Sequence, residues 1–150
     1  MNFIYYIGIL ISGLLLFFTV VILFIRRYAI KLEEEYKSKQ FATEEILFID
    51  NGANLFGIDT LNSLQLRGNG LLIITEDSLF FRLFFPKKEI KIEMKRVFNI
   101  EFIKSFKGKS ILRLLTKIDY NNNEGSIDSI VLYIKEKKKL KETIENIIYR

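Results

Sequence analysis

Leu71-Leu72-Ile73-Ile74-Thr75-Glu76-Asp77-Ser78-Leu79-Phe80-Phe81-Arg82-Leu83-Phe84-Phe85 is the stretch on which the architecture turns. Residues 71–75 and 78–85 are runs of aliphatic, β-branched and aromatic side chains, and the polar pair Glu76-Asp77 separates them, so the stretch reads as a β-hairpin. Pro86-Lys87-Lys88 interrupts the chain next. In residues 89–95 the alternation is clean: Ile90, Ile92 and Met94 fall on one face, Glu89, Lys91, Glu93 and Lys95 on the other, as in a half-buried strand.

Working outward towards the C-terminus, Phe98, Ile100 and Phe102 continue the alternation through residues 98–106, and Lys107-Gly108-Lys109 supplies a turn into a strand over 110–120. Asn121-Asn122-Asn123-Glu124-Gly125 is a turn cluster, because Asn and Gly accept the left-handed backbone of tight connections. A last strand follows over 126–134. Residues 135–149 then place Leu140, Ile144, Ile147 and Ile148 at i, i+4, i+7 and i+8, the stripe of a one-sided amphipathic helix. On the N-terminal side, 46–50 and 54–58 are two short strand candidates and 59–67 a loop or irregular edge. Six to seven antiparallel strands capped by a C-terminal helix make an α+β roll or partly open barrel. There is no βαβ alternation. Gly68-Asn69-Gly70 precedes a strand, whereas a phosphate-binding glycine loop opens a helix, so these glycines read as a tight turn.

Residues 3–25 are 23 in number, carry no charge and have Ser12 and Thr19 as hydrophilic interruptions. At about 1.5 Å per residue a helix of that length spans roughly 34 Å, enough for a hydrocarbon core of about 30 Å. A cleaved signal peptide would want a basic start, a shorter apolar core and a small-x-small cleavage site; Met1-Asn2 is uncharged and the run ends in Phe24-Ile25-Arg26-Arg27. Arg26, Arg27 and Lys31 follow the span and no base precedes it, which places the N-terminus outside and the rest in the cytoplasm, at the inner (plasma) membrane. Tyr5 and Tyr6 suit an interfacial anchor, and Gly8 with Ser12 forms a small-xxx-small pair for helix–helix contact. The domain plan is an anchor over 1–25, a juxtamembrane connector over 26–45 and a cytoplasmic domain over 46–150. Between Arg26 and Gln40 there is no Gly or Pro, and Glu33 with Lys37 and Glu35 with Lys39 place an acid four residues before a base, so the connector extends the anchor helix. It reads as a solvated spacer holding the domain off the bilayer, with a coiled-coil or partner-binding stalk as the alternative.

Composition narrows the chemistry. The 150 residues include no Cys, His or Trp, which excludes disulfides, thiolate and imidazole catalysis and the Cys/His metal sites. Glu33-Glu34-Glu35, Glu44-Glu45 and Glu76-Asp77 are the clustered acids, and each has a structural explanation as helix surface, strand entry or turn. No catalytic residue, metal site or cofactor is expected. The net charge is +5, yet residues 82–117 alone carry 11 Lys and Arg against three acids, a balance of +8. Arg82, Lys87, Lys88, Lys91, Lys95, Arg96, Lys104, Lys107 and Lys109 are therefore the candidate lipid- or partner-binding residues, since basic groups near an anionic leaflet contribute on the order of 1 kcal/mol each. The alternative is a set of solvated strand faces whose lysines discourage edge pairing. Nucleic acid is not expected, because the interleaved aromatics fall on core-facing positions and no reader motif is present.

Gly70-Leu71-Leu72-Ile73-Ile74-Thr75-Glu76-Asp77-Ser78-Leu79-Phe80-Phe81 resembles the hairpin of bacterial pleckstrin-homology-like (PH-like) and GRAM-like domains. Asn54-Leu55-Phe56-Gly57, Arg67-Gly68-Asn69-Gly70, Pro86 with its basic neighbours, Lys107-Gly108-Lys109 and Asp128-Ser129 are similar to an uncharacterised bacterial family of such proteins. The chain departs from that family in carrying Phe106, Phe84 and Leu132 or Tyr133 where relatives have His or Trp. The resemblance covers about residues 46–150 and implies seven strands with a capping helix. It implies a noncatalytic binding or scaffolding module docking a protein partner or anionic phospholipid headgroups. The alternative is a component that oligomerises in the membrane plane, as a homo-oligomer, in assembly or stress response.

Overall fold

The computed structural model describes residues 3–60 and 66–150, with side chains from Tyr6 onward; Tyr5 as an anchor and part of the 59–67 loop lie outside the described residues. The chain is α1 (Phe3–Lys39), β1 (Ile46–Ile58), β2 (Gly68–Thr75), β3 (Ser78–Leu83), β4 (Lys88–Glu93), a 3-10 turn (Met94–Arg96), β5 (Val97–Ile103), β6 (Leu115–Asn121), β7 (Ile127–Tyr133) and α2 (Lys137–Ile148). The seven strands form one antiparallel sheet in the order β4-β3-β2-β1-β7-β6-β5. The outermost strands β4 and β5 leave the curled sheet open along one seam, and α2 packs there against β5, β1 and the 3-10 turn. This is the expected α+β partly open barrel with a helical cap.

The inner face holds the main core. Leu72, Ile74, Leu79, Phe81 and Leu83 come from the β2–β3 hairpin, Ile118, Ile130 and Leu132 from β6 and β7, and Leu140 and Ile144 from α2. Ile147 and Ile148 pack at its rim, as their spacing requires. Gly70 is the tightest point of the hairpin. A Cβ there would stand 2.4 Å from the Arg82 carbonyl oxygen and 2.6 Å from the Phe81 ring, so only glycine lets the two strands approach.

Several boundaries differ from the sequence reading, each for a local reason. The two short strands over 46–50 and 54–58 are one, β1, because irregularities at Ile46/Phe48, Asp50/Ala53 and Leu55/Gly57 bend it without ending it. This bend lets one strand pair with β2 through its first part and with β7 through its last. Another register shift between Val97 and Asn99 breaks the alternation in β5, so Val97 and Ile100 are buried while Phe98 is 41% exposed. The expected strand over 110–120 begins at Leu115, since Leu112 takes a left-handed φ of 57° and points wholly into solvent. Lys107 and Gly108, at φ 48° and 74°, do form a tight turn, closed by mutual hydrogen bonds of Phe106 and Lys109.

The connector differs most. α1 runs unbroken for 37 residues, about 55 Å, and its second half is packed on the sheet. Ala29 and Leu32 are buried in it, and Tyr36 together with Phe41 covers Leu71, Ile73 and Phe80 on the outer face of β2 and β3. Phe80 meets the Tyr36 ring at 5.2 Å and the Phe41 ring at 5.4 Å. A solvated spacer is therefore not what the chain builds. The hairpin is apolar on both sides of its strands, and the second half of α1 is the cover its outer side requires.

Candidate functional site

The direction of α1 along the hairpin orients every surface group. Tyr28 packs edge-on against Phe84 at 5.8 Å, and eight residues later Tyr36 stands over Phe80. Eight helical residues rise about 12 Å and four strand residues about 13 Å, so α1 runs antiparallel to β3. One end of the domain, carrying the β3–β4 turn, therefore lies beside the start of the connector. The β2–β3 turn at Glu76-Asp77 lies at the other end, some 26 Å away by strand rise.

That geometry disperses the nine basic residues. Arg82 is buried under α1: its Nε donates to Tyr36 Oη at 3.0 Å, its Nη1 donates to the Leu83 carbonyl at 2.5 Å, and Glu89 Oε1 stands 3.3 Å from Nε. Tyr36 in turn donates to Glu89. Burial, with the Glu89 carboxylate beside it, pushes the Tyr36 hydroxyl up from its ordinary value. Arg82 is thus a strut joining α1 to β3 and β4, and it leaves the candidate binding set. Lys87 and Lys88 sit in and just after the β3–β4 turn at the connector end. Lys95 and Arg96 sit at the opposite end of β4, beside the β2–β3 turn, where Met94 N donates to the Asp77 carbonyl. Both pair with Glu93, at 2.9 and 3.4 Å, and Arg96 also donates to Asn123. Lys91 is exposed midway along β4. Lys104, Lys107 and Lys109 belong to the β5–β6 loop, with Lys107 held 3.4 Å from the Asp59 carboxylate. One run in sequence becomes separate groups in space because β4 reverses the chain between them.

Two concave regions border these groups. A groove of about 500 Å³ lies between α1 and the β3–β4 turn, lined by Tyr28, Lys31, Leu32, Glu35, Tyr36 and Lys87 among others. Lys39 beside Glu35, with Lys31 and Lys87 further off, holds that carboxyl below the usual range. A cleft of about 650 Å³ follows the open seam, where the acids Glu44, Asp77 and Glu93 stand among Lys91, Arg96 and Tyr120. The acids of this cleft that carry ion pairs spend them on their own neighbours, as Glu93 does.

The polar residues that composition did not single out lie on β5, β6 and β7. Asp128 is buried and accepts from Thr60 N and Oγ1, Tyr120 Oη and Ser129 N at 2.7–3.0 Å, tying the end of β1 to β6 and β7. Asp119 is equally buried and accepts from Ser129 Oγ at 2.6 Å, Asn99 Nδ2 at 2.8 Å and Lys117 Nζ at 3.0 Å. Burial raises the Asp119 carboxyl, but these donors outweigh it and the net displacement is downward. Tyr120, desolvated against the Asp128 carboxylate, is displaced strongly upward. With their oxygens engaged by these donors, both aspartates fasten strands. Among the described residues no group of three or more acids is gathered to hold a metal ion.

In α1, Gly8 and Ser12 lie one turn apart on an exposed face, with open space around Gly8 and the Ser12 hydroxyl donating to the Ile9 carbonyl. The helix is long and apolar enough to cross a membrane, with a mean hydropathy of 2.9 over its most apolar window and no residue of that window buried.

No family model and no curated protein matches the chain. Solved structures do. A chain of "The 8S snRNP Assembly Intermediate" superposes with a TM-score of 0.54 at 13% identity, over 69% of this chain and 82% of that one. The C-terminal domain of an unknown protein from Leishmania infantum superposes with a TM-score of 0.53 at 16% identity, over 79% of this chain and 99% of that one. At such identities the likeness is one of fold.

Proposed function

We propose that the chain is a noncatalytic, single-pass membrane protein whose PH-like domain acts as a binding or scaffolding module on the cytoplasmic face. The observation that carries the reading is the single helix α1, apolar and uncovered over its first part and packed into the outer face of the β2–β3 hairpin over its last. A helix shared in this way fixes the attitude of the domain relative to the bilayer. Such an arrangement suits a module that displays chosen surfaces, the open seam and the β5–β6 loop, to partners in the cytoplasm. Arg26 and Arg27 at the end of the apolar run support the cytoplasmic side, and the strand-fastening hydrogen bonds of Asp119 and Asp128 support a role without catalysis.

The test uses the full chain in its native membrane. Alkaline carbonate should leave it in the membrane pellet, and a single Cys introduced as Tyr149→Cys should resist a membrane-impermeant maleimide in intact cells and react after lysis. Release by carbonate removes the anchor, and labelling in intact cells reverses the orientation. Crosslinking followed by mass spectrometry should then return partners whose crosslinks map to the seam or the β5–β6 loop. A chain that returns no partner while processing a small molecule would overturn the binding role.

A further inference from the structure

Phe85 is 86% exposed at the tip of the β3–β4 turn, between the Phe84 ring that packs on Tyr28 and the bases Lys87 and Lys88. Exposure alone does not set it apart, since Leu112 and Ile127 are exposed too; what does is its place, just beyond a strand that is buried throughout and beside α1. Its position explains it. Tyr28 lies three residues beyond Ile25, the last residue of the uncharged run, which is about 4.5 Å of helix rise. The headgroup layer on each side of a hydrocarbon core is roughly 5–7 Å thick, so Tyr28 and the turn packed on it stand at the depth of that layer. β3 runs antiparallel to α1, hence its C-terminal end, and Phe85 after it, point back towards the apolar span.

The free charges around the turn are basic, because the neighbouring acids Glu89 and Glu35 are paired with Arg82 and Lys39. Arg26 and Arg27 lie on the adjoining turn of α1, and Lys31 from the helix faces Lys87 from the turn across the groove they both line. An aromatic flanked by bases is the side-chain pairing that settles at a membrane interface, ring against the acyl boundary and ammonium groups among phosphates.

We infer that the β3–β4 turn is a second membrane contact, in which Phe85 inserts into the interface of the bilayer that α1 crosses and Lys31, Lys87 and Lys88 engage anionic headgroups. This rests on the reading of α1 as a membrane anchor. It makes the contact part of the fold's attachment, made by a turn that begins 59 residues after Ile25, the end of the span.

The absence of Trp and Cys from the chain makes the test direct. The full chain carrying Phe85→Trp is reconstituted in vesicles of phosphatidylcholine with phosphatidylserine, some with acyl chains brominated near the headgroup. The comparison is Tyr149→Trp, 75% exposed at the end of α2, where Arg150 pairs with Glu76 at the far end of the hairpin. Phe85→Trp should emit to the blue of Tyr149→Trp and lose intensity with brominated lipid, while Tyr149→Trp stays unquenched. Because tryptophan itself favours interfaces, a nitroxide attached to Phe85→Cys provides the second reading, and it should be shielded from a water-soluble relaxant that reaches one attached to Tyr149→Cys. Adding Lys87→Glu and Lys88→Glu should diminish both signals, and replacing phosphatidylserine by phosphatidylcholine should do the same. Equal behaviour of positions 85 and 149 in vesicles that float with the protein overturns the contact and leaves the anchor intact. Equal behaviour with protein that fails to float overturns both. Shielding of position 85 only on addition of cytosolic protein assigns the turn to a protein partner and overturns the lipid contact.

Discussion

The outer faces of the two halves of the sheet are built differently. Over β2 and β3 the outward positions Leu71, Ile73 and Phe80 are buried, because α1 lies on them. Over β5, β6 and β7 the outward positions mix a small apolar cluster, Phe56, Phe106, Leu115 and Val131, with Asn99, Glu101, Lys117, Asp119 and Ser129, and the β5–β6 loop folds back beside them. One half needs a helix to keep water from its outer side; the other meets water through hydrogen bonds and ion pairs. The sequences record this. Residues 71–74 and 79–81 are continuously apolar under α1, whereas β6 alternates through Lys117, Ile118, Asp119 and Tyr120, and β7 opens on Asp128 and Ser129 before its apolar run of Ile130, Val131 and Leu132, where the Phe56–Phe106 cluster supplies the outer cover.

The comparison breaks most readily at Phe80. Phe80→Ala removes the ring that both Tyr36 and Phe41 touch and should cost about 3–5 kcal/mol, read as a fall in the denaturation midpoint of the full chain in detergent. Phe98→Ala, a ring of the same size on the half-exposed strand β5, should cost far less. Asp128→Ala strands the Thr60 and Tyr120 donors in the other half, and about 1–3 kcal/mol is expected by the same measurement. Tyr36→Phe keeps the packing and removes one link to Arg82 and Glu89, for about 1 kcal/mol.

The smallest effect is one of pH. The Asp119 carboxyl titrates lower in the folded chain than in the unfolded one, so its contribution is complete above the ordinary carboxylate pKa of about 3.9 and is lost as pH falls through the folded value. Asp119→Asn should therefore be less stable than the parent at neutral pH, and the gap should narrow on acidification below about pH 4. Tyr36→Phe should show no such narrowing there. A gap that stays constant with pH would show that Asp119 contributes only as a neutral hydrogen-bond acceptor.

Sequence legibility followed the distance over which each rule acts. The Glu76-Asp77 turn, the alternation of Ile90 and Ile92 against Glu89 and Lys91, and the stripe of Leu140 and Ile144 are local, and each is where the pattern puts it. The bends that fuse β1 depend on its two different partners, β2 and β7, and leave no local mark. The strut of Tyr36, Arg82 and Glu89 joins residues 46 and 53 positions apart, and an arginine inside an apolar run was its sole signal. Charge was the least transferable quantity, since Lys88 and Lys95 are near neighbours in sequence and stand at opposite ends of β4.

The shared helix also makes the domain a pointer. Between Arg26 and Lys39 there is neither glycine nor proline, Leu32 is buried and Tyr36 packs on the sheet, so no joint separates the apolar stretch of α1 from the domain. Membrane helices answer bilayer thickness by tilting, commonly by about 20°. A tilt of about 10° more would carry the Glu76-Asp77 turn, some 26 Å down the hairpin, sideways by roughly 5 Å. With α1 anchored as proposed, lipid composition would then set the direction in which the far end of the hairpin faces, with no change inside the fold.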